Sequence, residues 1–144
     1  MWEKFKKKAG LPQDTFLTAE ICFEDESING AAKMALVLAG KKTAIFSSLA
    51  TFSVDGEPMP VSGEYYALVD KNGKDVAILE METVNIIPFC DVTWGMASQE
   101  AEDENLEAWK SRMEEILTDE GAITGFDFRP DIKLVFQTFK VVYK

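Results

Sequence analysis

The side chains able to do chemistry in this chain fall into a few groups. Gly40-Lys41-Lys42-Thr43 sets two ammonium groups and a hydroxyl side by side, a set that can hold an anion or steady negative charge on an oxygen. Glu100, Glu102, Asp103 and Glu104 gather carboxylates that could collect Mg²⁺ or Ca²⁺ weakly through oxygen. Tyr65, Tyr66, Phe89 and Trp94 supply rings, and a base stacked on such a ring is held by about 1–3 kcal/mol. The chain has no His, which excludes Ser-His-Asp and Cys-His catalysis and removes the usual metal-binding imidazole. Cys22 and Cys90 stand far apart without CxxC spacing, so we expect two buried, reduced thiols and neither a zinc site nor a redox pair. Plainer roles exist for the charged groups. Lysines beside Gly40 can complement the negative end of a helix, worth typically ~0.3–1 kcal/mol, and clustered acids commonly form a solvated helix entrance. No metal or cofactor is expected.

Charge narrows the partners. The 144 residues carry a net charge of −10, which disfavours a broad grip on duplex DNA or anionic lipid. The distribution is uneven: residues 1–50 sum to +1 and residues 51–144 to −11. The lysines at 4, 6, 7, 8, 41 and 42 therefore form the one candidate basic patch, and any anion site must be local. The N-terminus lacks an apolar signal core. No apolar run reaches the roughly 20 residues of a membrane span, so a cytoplasmic location is expected.

Periodicity gives the elements that must position these groups. A short helix over 2–9 ends at Gly10, and a second over 27–39 ends at Gly40, its buried face formed by Ile28, Ala31, Ala32, Ala35, Leu36, Leu38 and Ala39. Strands are expected at 43–48, 65–69 and 75–84, the last two joined by a tight Asn72-Gly73 hairpin. Residues 85–89 read as a short edge strand or extended loop because Pro88 cannot donate to a ladder. A helix over 106–117 buries Leu106, Trp109, Met113, Ile116 and Leu117 on one face. Residues 121–130 read as a connection, and 132–143 as the longest strand. Length and pattern together give one domain of α+β class, about five strands in a curved or barrel-like sheet with helices at its edge.

An ordered set of landmarks follows Gly40-Lys41-Lys42-Thr43-Ala44: Gly63-Glu64-Tyr65-Tyr66, Asp70 with Gly73, Ile87-Pro88-Phe89, Glu100-Ala101-Glu102, Trp109, and 136–143. In this order the chain resembles the ASCH domain family, in a longer bacterial branch. The resemblance implies a PUA-like fold, a small curved β-barrel of about five to six strands with flanking helices. It spans residues 1–144 as a single domain, with a helical extension at about 1–18. It also implies a cleft that binds RNA or a nucleotide-like ligand. Some relatives are amidohydrolases acting on N4-acetylcytidine through a Lys, a Thr and a Glu, and another is a ribonuclease.

Carried over, the Lys falls on Lys42 and the Glu on Glu100. Ile45 stands where the motif has Thr, leaving Thr43, Ser47 and Ser48 as the nearby hydroxyls, and Met113 stands at a His position of that branch. Chemically, Glu100 could serve as base and Lys42 as oxyanion partner, with Thr43 a weaker candidate. Lys41, Ser47, Glu64, Tyr66 and Trp94 are the candidate ligand contacts. Whether the chain is an enzyme stays open. The alternative is a non-catalytic module whose acidic helix around 98–120 binds a basic protein.

Overall fold

A computed structural model of the chain describes residues 1–23, 29–54 and 56–144. Among them are the helices α1 (Trp2–Ala9), α2 (Gly30–Leu38), α3 (Leu49–Val54), α4 (Trp94–Ala97) and α5 (Leu106–Thr124), and the strands β1 (Ala19–Ile21), β2 (Ala44–Ser48), β3 (Tyr65–Val69), β4 (Asp75–Pro88) and β5 (Lys133–Tyr143). The strands form one sheet in the order β1-β3-β4-β5-β2. Only the β1–β3 pair is parallel. The two end strands line a common cleft, so the sheet curls into a half-barrel of α+β class.

Both faces of the sheet are covered. Tyr66, Leu68, Leu79, Met81 and Phe139 pack with Phe23 and with Val37 of α2 on one face. On the other, α5 lays Trp109, Met113 and Leu117 on Phe46, Leu134 and Phe136. A third cluster seats Phe5 of α1 on Ala67, Val69 and Ile78, with Phe5 and Tyr65 ring centroids 5.5 Å apart. Double coverage is why Tyr65 and Tyr66 both find packing partners although alternation sends them to opposite faces.

Several local expectations change in three dimensions. The packed face of α2 is Gly30, Lys33, Met34, Val37 and Leu38, while Ala31, Ala32 and Ala35 are exposed. The i, i+3, i+4, i+7 spacing holds but is shifted by two residues, to nearly the opposite side of the helix, because the larger Met34, Val37 and Leu38 remove more apolar area from water than alanine does. The expected start of that helix at 27–28, with Ile28, lies outside the described residues. Residues 85–88 are not a separate edge element: β4 runs unbroken through Pro88, and its second half pairs with β5. Pro88 sits at the end of the ladder, where its missing donor does little harm. β4, with 14 residues, is thus the longest strand, ahead of β5 with 11.

The hairpin is also looser than expected. Asn72 keeps a negative φ and only Gly73 is left-handed, at +79°. The Gly73 N–H bonds Asp70 O at 2.9 Å, and the Asp70 side chain accepts from the Asn72 and Lys74 amides, as in a type I turn closed by a glycine bulge. Helix α5 extends past 117 to Thr124. Gly121 permits this ending, since a Cβ there would meet Phe126 O at 2.2 Å. Ile116 is 43% exposed instead of buried. Cys22 is half-buried but Cys90 is exposed, so only part of the thiol expectation holds. The basic patch is broken up, because Lys6 and Lys42 are both buried.

Candidate functional site

Alternation along β2 creates two distinct environments. Ala44, Phe46 and Ser48 are buried under α5 and the turn before it, while Ile45 and Ser47 face the opposite way into a cleft. Just before the strand, Lys42 is carried inward and is 2% exposed. Its Nζ donates to Glu102 Oε2 at 2.9 Å and to Glu100 O at 3.3 Å, and lies 3.8 Å from Glu100 Oε2.

Glu100 is the hub of this network. Its Oε1 accepts from Trp109 Nε1 at 2.7 Å and Arg112 Nη2 at 3.0 Å, and its Oε2 accepts from the Phe46 amide at 3.2 Å. Trp109 and Arg112 stand i, i+3 on α5, so they reach the same carboxylate. Arg112 also forks onto Asp103, with three contacts of 2.8–3.1 Å. Lys33 of α2 closes the far end on Glu102 at 3.4 Å. Ala101, between the two acids, is the one non-glycine residue with positive φ among the described residues, at 59°. That left-handed step costs roughly 1–2 kcal/mol and lets the Glu100 carbonyl and the Glu102 carboxylate converge on one ammonium.

Burial pushes the Glu102 carboxyl up, but the charge and hydrogen bond of Lys42, with Arg112 and Lys33 behind them, outweigh it and hold the group below its ordinary value. Burial likewise works against the charged form of Arg112, and Asp103, Glu100 and Glu102 override it, leaving the guanidinium held protonated more firmly than usual. Three cations and three carboxylates therefore neutralise one another.

The cleft is separate from this network. It encloses about 630 Å³ and draws on β1, β2, β3, β5 and α3. Phe23, Phe52 and Tyr66 supply rings, and Ser47, Thr51 and Gln137 supply polar groups. Tyr66 donates to Glu64 Oε1 at 3.0 Å; burial first, then Glu64, raises its pKa, so the hydroxyl stays protonated. Gln137 is only 7% exposed and brings a primary amide to the cleft wall.

The structure divides the residues singled out by sequence. Lys42 and Glu100 come together, but neither lines the large cleft. Phe23 stands between, with Lys42 Nζ 5.9 Å from its ring centroid. Ser47 and Tyr66 do line the cleft. Glu64 buttresses Tyr66 while also accepting from the Val61 amide at 2.6 Å and Thr18 Oγ1 at 3.3 Å. Thr43 lines a smaller cavity of about 350 Å³ beside Gly40 and Lys42. Lys41 is exposed. Trp94 is 37% exposed on α4 and outside the cleft, and Phe89 is core, stacked on Trp109. Sequence reading missed Gln137, Phe23 and Phe52 in the cleft and Arg112 in the network. Arg112 carried a signal, as one of two arginines in the chain set one turn from Trp109.

The ASCH domain family model matches residues 20–143. The chain belongs to the ASCH domain family. Among solved structures, an ASCH domain from Lactobacillus crispatus JV V101 is similar at 26% identity and a TM-score of 0.86, over 99% of this chain and 92% of that one. A protein from Enterococcus faecalis V583 is similar at 29% identity and a TM-score of 0.82, over 99% of this chain and 85% of that one. No curated protein matches the chain at a significant level. The half-barrel is thus the PUA-like fold of ASCH domains, a fold often used for RNA binding. No described helix of this ASCH domain is long and apolar enough to cross a membrane.

Proposed function

We propose that this ASCH domain binds a nucleoside-sized ligand, free or as one base of a single-stranded RNA, in the cleft between β1 and β2, and that it does so without hydrolysis. The observation that carries the reading is the lining of the cleft: three rings, Phe23, Phe52 and Tyr66, together with Ser47, Thr51 and the primary amide of Gln137, around a space of about 630 Å³. A primary amide carries both donors and an acceptor, so a base edge offering an adjacent donor and acceptor can pair with Gln137. Phe23, Phe52 and Tyr66 supply stacking surface, and the volume lies within the ~300–1,000 Å³ typical of small-molecule sites.

Lys42 and Glu100 serve as scaffold in this reading. Hydrolysis needs a base with a free lone pair and a donor aimed at the reacting oxygen, whereas Glu100 already accepts from three groups and Lys42 is sealed by the Glu102 carboxylate and the Glu100 carbonyl, with the Glu100 carboxylate beside it. Ile45 offers no nucleophile on the cleft wall. The role is proposed for the cytoplasm. Because the cleft draws on residues from Thr18 to Gln137, residues 1–144 are proposed to act as one unit, with 1–18 an N-terminal helical extension. A protein partner for the acidic helix is the weaker reading, since Glu100, Glu102 and Asp103 are turned inward onto cations.

Calorimetric titration with cytidine, adenosine, N4-acetylcytidine and a short single-stranded RNA, with chromatography of the mixtures, tests the proposal. Saturable binding of at least one nucleoside, weakened about tenfold by Gln137→Leu, and no new product are expected, tenfold being the loss of about one hydrogen bond. Absence of binding by every nucleoside refutes the site, and release of acetate from N4-acetylcytidine refutes the scaffold role.

A further inference from the structure

We propose that the cleft selects its ligand by charge: it admits a neutral or positively charged heterocycle and turns away a phosphorylated one. This rests on the cleft being the binding site, as argued above. The described residues lining it include the carboxylates of Glu20 and Glu57 and no Lys or Arg. The residues outside the described set are Glu24, Asp25, Glu26, Ser27, Ile28 and Asp55, none of them cationic. Lys42 lies beyond the Phe23 ring and is engaged by Glu102 and Glu100. Lys33 is paired with Glu102. A phosphate entering the cleft therefore gives up water for no counter-charge and meets two carboxylates at the rim.

A cation fares differently. Three rings, Phe23, Phe52 and Tyr66, line the cleft, an aromatic face attracts positive charge, and Glu20 and Glu57 add a favourable field. Gln137 adds a primary amide to the cleft wall, which can pair with the polar edge of a heterocycle. A domain with this lining would act on nucleosides or on bases carrying a positive ring, after phosphate has been removed or where the phosphate stays outside the cleft.

The test compares guanosine, its 5′-monophosphate and 7-methylguanosine by calorimetry at mildly acidic pH, where the methylated ring is cationic, at low and high salt. The monophosphate should bind about tenfold more weakly than guanosine and 7-methylguanosine about threefold more tightly at low salt, both gaps shrinking as salt screens them. The Glu20→Gln/Glu57→Gln double variant should bring both ratios toward one; both side chains are exposed, so its thermal unfolding should match the parent. Binding of the monophosphate as tight as that of guanosine, or ratios unchanged in the double variant, overturns charge selection while leaving the site intact. Failure of all three to bind overturns charge selection, and overturns the site as well where cytidine, adenosine and N4-acetylcytidine also fail to bind.

Discussion

Replacing Glu100 by glutamine is a near-isosteric change that the geometry forbids. One carboxylate oxygen accepts from Trp109 Nε1 and Arg112 Nη2, and the other faces the Phe46 amide and the Lys42 ammonium. All four are donors. Whichever way the new amide is turned, its NH₂ points at two of them, and the group keeps one acceptor where two are needed. The charge is lost as well, leaving Lys42 with Glu102 as its remaining carboxylate. Hydrogen bonds to charged groups contribute about 1.5–3 kcal/mol each, and breaking a buried ion pair from one side costs about 3–5 kcal/mol. Glu102 and Asp103 retain part of the compensation, so Glu100→Gln is expected to destabilise the domain by about 3 kcal/mol and lower Tm by about 10 °C. Urea unfolding followed by circular dichroism and by tryptophan fluorescence measures this directly, with an unchanged m-value showing that the native state is otherwise intact. A loss below about 1 kcal/mol would refute the argument, since it would mean the carboxylate does not bear on these four donors in the folded state.

Glu102 has a folded pKa below its unfolded value of 4.5. It therefore contributes stability that is present above that value and is lost as pH falls through the folded pKa. Urea midpoints taken from neutral pH down to about 3 should fall for the parent, and Glu102→Gln should be less stable at neutral pH with a flatter acid limb; parallel profiles would contradict the assignment. Gly121→Ala should cost about 3 kcal/mol despite the better helix propensity of alanine, because the added Cβ sits 2.2 Å from Phe126 O. Thermal denaturation reads it, and a stabilised variant would show that the turn after α5 can relax.

Much of the architecture is local and was legible. The spacing of Trp109, Met113 and Leu117 fixes the buried face of α5, Gly10 and Gly40 end their helices in left-handed turns, and the apolar runs at β2, β3 and β5 fall where alternation puts them. The ordered landmarks were enough to indicate the half-barrel fold. What the sequence could not settle were choices made between elements far apart in the chain. The face of α2 turned toward Met34 and Val37 because of what the sheet offers it. β4 ran on through Pro88 because β5 was there to pair with it. Helix α3 forms inside a stretch whose apolar pattern is too short to signal it, begun by Ser48 Oγ accepting the Thr51 amide.

The same division governs the site. Composition alone removed imidazole chemistry and a broad anionic grip, since both depend on which residues exist and not on where they lie. The sequence also marked Lys42 and Glu100 as a pair, and they do meet. Tertiary structure decided what the meeting is for, because the function of a charge depends on its neighbours and on its access to water. Trp109, Arg112 and the Phe46 amide converge on Glu100 from two elements, Ala101 turns Glu102 onto Lys42, and Phe23 stands between that network and the cleft. Gln137, unremarkable as a polar residue in a strand, becomes part of the cleft because β5 pairs beside β2 and sets it opposite Ile45.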